Sequence, residues 1–229
     1  MIRLCSLTLC ATLATGLLAC GSGSSSNGNG GSNGNGGSNG NGGSMSTDKA
    51  IDLVPVDNTV SGWTVDQEHS KTPGTRAMTA ATEAEAEGLI DGGAAPFFMA
   101  PYTPKLFVWQ NFVNSSLSAA PDGANVSLYI LDMPSADQAS GLYAALLKAS
   151  DYSRKSGTPD DWKPTTPLVG TESRIQDTGS EWWINFHQGV FYVEVRLDPS
   201  TGPAPDYAPH DADTKQEALR FAQVIASQM

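Results

Sequence analysis

Glu181-Trp-Trp-Ile-Asn-Phe-His187, Gln188-Gly189 and Val190-Phe-Tyr-Val-Glu-Val-Arg-Leu197 form the stretch whose reading decides the fold. Two runs alternate between apolar and polar residues and meet at a glycine, which is the pattern of an antiparallel hairpin. Taking Gln188-Gly189 as the turn sets His187 opposite Val190, Asn185 opposite Tyr192, Trp183 opposite Glu194 and Glu181 opposite Arg196. One side then carries Trp182, Ile184, Phe186, Phe191, Val193 and Val195, a core face. The other carries Glu181, Trp183, Asn185, His187, Tyr192, Glu194 and Arg196. A slip of one residue would mix the two sets, so burial selects this parity.

Working outward, Leu106 to Val113, Asn125 to Asp132 and Glu172 to Asp177 read as further strands. Ile51 to Asp57 reads as a short edge segment because Pro55 cannot donate to a central ladder. Ser61 to Val65 reads as a first short strand, and 66–78 as polar turns. Thr79 to Asp91 reads as an Ala/Glu-rich helix capped by Thr79 or Thr82, with Glu83, Glu85 and Glu87 on a solvated face. Gly92-Gly93 breaks it, and the spacing of Ile90, Ala94 and Phe97 lets it resume to about Met99. Ser135-Ala-Asp-Gln138 is a capping box opening a helix that buries Ala139, Leu142, Tyr143 and Leu146. Asp151 to Pro167 reads as a loop pinned by Trp162. A second capping box, Thr214-Lys-Gln-Glu217, opens a helix that buries Ala218, Phe221, Ala222 and Ile225. The order predicts an α+β domain: an antiparallel sheet of about five to six strands with about three helices packed mainly on one face.

The chain before this domain is of another kind. Arg3 and the apolar run from Leu4 to Leu18 are too short and too polar for a membrane span, and they fit a cleaved signal over residues 1–19. Leu17-Leu-Ala-Cys20 resembles the lipidation motif of bacterial lipoproteins, which makes Cys20 the lipidated residue. Residues 21–44 are Gly, Ser and Asn only, repeating Ser-Asn-Gly-Asn-Gly-Gly, and cannot bury a core. Residues 20–44 are thus a lipidated cysteine and tether reaching on the order of 25–30 Å, and 45–229 are one domain. Cys5 and Cys10 leave with the signal, so the domain has no thiol for disulfides, zinc thiolates or nucleophilic catalysis.

The 24 acidic residues against 13 basic ones give a net charge of −11, which repels phosphate backbones and anionic headgroups. This charge disfavours nucleic acid as a partner, and attachment to a membrane falls to the acyl chains on Cys20.

Candidate chemistry is sparse. Trp183, Asn185, His187, Tyr192 and Glu194 place aromatic and hydrogen-bonding groups side by side, a face able to stack a sugar or receive a partner's apolar residue. Glu181 and Arg196 read as a cross-strand ion pair. Asp206, His210, Asp211 and Asp213 form an acidic cluster, but their spacing matches no calcium loop, and acids before a helix favour its dipole. Asp91 beside Gly92-Gly93 presents a carboxylate at a sharp turn, though glycine there serves equally as a helix stop. No Gly-x-Ser-x-Gly or phosphate-cradling loop occurs, and no metal or cofactor is implied.

Ile90-Asp-Gly-Gly-Ala94, Leu128-Tyr-Ile-Leu-Asp-Met133 with Ala139, Gly141 and Tyr143, and Gly189-Val-Phe-Tyr-Val-Glu-Val195 resemble a family of uncharacterised exported bacterial proteins classed as a domain of unknown function. The resemblance covers most of residues 50–227 and implies no activity. In that family the Ile-Asp-Gly-Gly-Ala motif is usually followed by Glu, where this chain has Ala95 and Pro96. Resemblance to lipoproteins of two-membrane bacteria, with Gly21 after the cysteine, implies sorting to the outer membrane. The expectation is a membrane-anchored envelope lipoprotein acting as a binding or interaction module toward an envelope protein or glycan, rather than an enzyme. A hydrolase using Asp91 or Glu194, and a spacer without ligand, are the alternatives.

Overall fold

In a computed structural model the described residues are 49–67, 77–90, 92–117, 123–149, 161–199 and 212–229. Among the described residues four helices and eight strands follow in the order α1 (Lys49–Asp52), β1 (Thr64–Val65), β2 (Met78–Ala80), α2 (Glu83–Ile90), a 3-10 turn (Ala95–Phe98), β3 (Leu106–Asn114), β4 (Ala124–Asp132), α3 (Ala136–Leu146), β5 (Lys163–Pro164), β6 (Glu172–Asp177), β7 (Trp182–Gln188), β8 (Phe191–Asp198) and α4 (Ala212–Ala226). The class is α+β, as the sequence predicts. The sheet is antiparallel throughout and runs β1-β3-β4-β8-β7-β6-β5, with β2 also paired to β3. The expected strand at Ser61 to Val65 contributes β1, whereas β2 and β5, three and two residues long, are too short for a period to show, which is why the sequence pattern counts fewer.

The hairpin forms between β7 and β8, but its register is two residues from the expected one. Asn185 stands opposite Glu194, His187 opposite Tyr192 and Trp183 opposite Arg196. The central turn residues are Gly189 and Val190, with Gly189 at φ 55°. Two-residue hairpin turns that match strand twist need positive φ at the first central position, and glycine reaches it without a Cβ clash where Gln188 would not. A slide of two preserves parity, so each residue keeps its assigned face.

Both faces of the sheet are covered, where the sequence pattern placed the helices mainly on one. On the first face Trp182, Ile184, Phe186, Val193 and Val195 pack with Ala218, Phe221, Ala222 and Ile225 of α4. The Trp182 indole donates to Thr214 Oγ1 at 3.1 Å, and Phe221 meets Phe112 and Trp63 edge-on at 5.0 and 5.7 Å. On the opposite face Phe107, Trp109, Tyr129, Leu131, Trp183 and Tyr192 pack beneath α2, the 3-10 turn and α3.

Local differences have local causes. Ala50, Leu53 and Val54 are buried at helical spacing, so the expected edge segment begins as the turn α1. Met78 and Ala80 are buried and pair with β3, so the chain before α2 is strand and not helix. Thr82 and Glu85 close a capping box, with Glu85 Oε2 accepting from Ala81 and Thr82 N–H at 2.8 and 3.2 Å. Thr214 does not open α4. It sits inside that helix as the partner of Trp182, while Glu217 accepts from the Trp63 indole at 3.1 Å. The Ser135 cap and the buried stripe of α3 stand as expected.

Candidate functional site

The polar side of the hairpin is buried rather than open. Asn185, Tyr192 and Glu194 are 0% exposed, Trp183 5% and His187 7%. Phe97 of the 3-10 turn lies 5.7 Å from the Tyr129 ring and 6.4 Å from Tyr192, and Tyr143 of α3 lies 5.2 Å from the His187 ring. The five residues do stand together on adjacent strands, but the 3-10 turn and α3 pack over them.

Under that cover the polar groups are organised around Glu194. Its Oε1 accepts from Arg196 Nε and Nη2, each at 2.5 Å, and its Oε2 accepts from the Tyr192 hydroxyl at 3.0 Å. A carboxylate this deep requires such partners, since an unpaired charge would cost several kcal/mol. The Arg196 guanidinium lies over Trp183 at 3.9 Å and over Tyr129 at 4.9 Å. Burial raises the Tyr129 hydroxyl above its ordinary pKa, with Arg196 pulling the other way. Glu181, expected opposite Arg196, accepts instead from the Trp183 indole N–H, and Trp183 takes the cross-strand place.

A pocket of about 70 Å³ opens beside this group. Ile90, Gly92, Gly93 and Pro96 form one wall, and Tyr129, Trp183 and Arg196 the other. Gly92 and Gly93 have φ of 95° and 91°, a conformation only glycine takes without strain, so bare backbone lines that wall. Glu87 holds the segment in place. Its Oε1 accepts from Ala94 and Ala95 N–H at 2.7 and 3.0 Å, so this acid caps the 3-10 turn instead of facing solvent. The pocket is well below the roughly 300–1,000 Å³ of a drug-sized site, and it admits the edge of a sugar, one side chain or a few waters.

Trp183 is the one member of the expected five that lines this pocket. Tyr129, Ile90 and Gly93 belong to the segments that carry the family resemblance, but nothing in their spacing places them against Trp183. Arg174 also escaped the sequence reading. Its signal is an arginine inside a short strand with no acid at the cross-strand position, which Asn185 occupies. Asp213 lies exposed in the first turn of α4. Cys20, Asp91, Asp206, His210 and Asp211 lie outside the described residues. Among the described residues no three His, Cys, Asp or Glu side chains gather to hold a metal, and no helix is long and apolar enough to cross a membrane.

No family model matches the sequence, so the resemblance to exported proteins of unknown function gains no support there, and no curated protein matches it. Among solved structures, the extracellular domain of PknH from Mycobacterium tuberculosis aligns with a TM-score of 0.43 and 10% identity, over 79% of this chain and 96% of that one. A likeness at that level carries no argument about this chain.

Proposed function

We propose that the chain is an exported, lipid-anchored envelope protein whose domain is a binding module, with the pocket between the Gly92-Gly93 segment and Trp183 as its binding point. The observation that carries the reading is the wall opposite the glycines, where an indole, a phenol ring and a guanidinium stand together. Because Glu194 neutralises Arg196, the pocket suits a neutral polar group, such as a sugar edge or a side chain of a partner protein, more than a free anion. Anchoring rests on Leu17-Leu-Ala-Cys20 and the Gly/Ser/Asn tether after it. Of the two carboxylates considered for hydrolysis, Glu194 is fully buried with both oxygens engaged, which favours the binding reading over a hydrolase built on that acid.

A photo-crosslinking residue at Ile90, on the pocket wall and only partly buried, tests the binding point in the anchored protein. One recurrent adduct, protein or glycan, supports it and names the partner, whereas a protein that stays folded without any adduct overturns it. Cys20→Ala with acyl labelling tests the anchor: loss of both label and membrane association is expected, and label retained on the variant rules Cys20 out.

A further inference from the structure

Arg174 of β6 is 5% exposed, and its Nε, Nη1 and Nη2 make no hydrogen bond among the described residues. Its guanidinium carbon lies 4.0 Å from the Tyr143 ring centroid and 5.0 Å from that of Trp162. Its cross-strand neighbours are Asn185 on β7 and Pro164 on β5, and neither offers a charge. Arginine cannot shed its proton in a protein, and ring contacts return much less than a buried, unpaired charge costs. The Tyr143 hydroxyl is near enough for Arg174 to pull its pKa down, but it is neutral, so the planar fork of N–H groups stands ready for a charged acceptor that the described neighbouring side chains do not supply.

We infer that Arg174 anchors an oxyanion-binding site, in which a carboxylate of a small ligand accepts from the guanidinium edge while Tyr143 and Trp162 pack against the ion pair. Glu172, on the same face of β6, reaches to 3.6 Å from His187 Nε2 with a side chain 64% exposed. That acid at the rim disfavours a doubly charged phosphate and favours a carboxylate, which bears one charge and matches the fork in shape. The site lies on β6, one strand from Trp183 of the pocket, and does not depend on the binding reading given for that pocket.

The test titrates acetate, inorganic phosphate and chloride at constant ionic strength into the full chain in non-ionic detergent, following arginine side-chain Nε–H signals by NMR and the melting temperature. The expected result is one saturable arginine signal that moves with acetate, less with phosphate and not with chloride, accompanied by a rise in melting temperature. Arg174→Met removes that signal and the rise, and Arg174→Lys, which keeps the charge but loses the fork, weakens acetate roughly tenfold or more. If acetate moves no arginine signal in the wild-type chain, or raises the melting temperature of Arg174→Met equally, the inference fails. Because the wild-type titration stands by itself, a variant that does not fold leaves the test intact.

Discussion

Arg196 and Arg174 stand two strands apart on one face of the same sheet, each over two aromatic rings, yet they are opposite in kind. Arg196, with a side chain 23% exposed, has a fully buried carboxylate bound to it through two nitrogens. Arg174 is more deeply buried and has no carboxylate bound to it among the described residues. Ring contact alone does not distinguish a structural arginine from a receptive one. The distinction lies in whether the fold provides the counter-charge, because a cation that cannot lose its proton must meet an anion from somewhere.

The largest break in this comparison is Arg196→Met. It strands Glu194 in the core without the guanidinium that neutralises it, and should cost about 3–5 kcal/mol in urea unfolding. Exchanging Glu194→Leu together with Arg196→Met removes both charges and should recover most of that loss, and the double-mutant cycle measures the coupling. Next comes Glu87→Ala, which frees two backbone N–H groups of the pocket wall and should cost about 1.5–3 kcal/mol. If it costs nothing, the carboxylate does not hold the Gly92-Gly93 segment. Arg174→Met sharpens the contrast from the other side. It removes a charge without stranding a partner, so stability should change by less than about 1 kcal/mol or rise. A loss as large as that of Arg196→Met would mean that Arg174 has a counter-charge after all.

The smallest effect is alkaline. Burial pushes the Tyr143 hydroxyl from 10.0 up to about 12, with Arg174 pulling it back. Between these values the unfolded chain has lost a proton that the folded chain keeps, so stability falls as pH rises from 10 toward 12. Without Arg174 the hydroxyl should titrate higher still, which tyrosinate absorbance reads directly.

Much of the fold was legible because it is written in local periods. The core face of the hairpin, the buried stripe Ala139-Leu142-Tyr143-Leu146 with its Ser135 cap, and the face Ala218-Phe221-Ala222-Ile225 all follow from spacing within one element. The errors fall where a few residues decide. Four residues of α1 and three of β2 are too short for a period to show, and the hairpin register turned on which side of Gly189 the turn begins. The candidate site was half legible. Trp183, Asn185, His187, Tyr192 and Glu194 share a face as the alternation requires, but alternation cannot say whether that face meets water or a helix.

The amino-acid order determined the faces, the helix stripes and the Thr82 and Ser135 caps, since each depends on residues a few positions apart. Only the tertiary structure decided that α2, the 3-10 turn and α3 cover the polar side of the hairpin, that Gly92 and Gly93 meet Trp183, and that Glu194 neutralises one arginine while another is left without a carboxylate among the described residues. These depend on the docking of separate elements, and no local period specifies which residue of one will meet which residue of another.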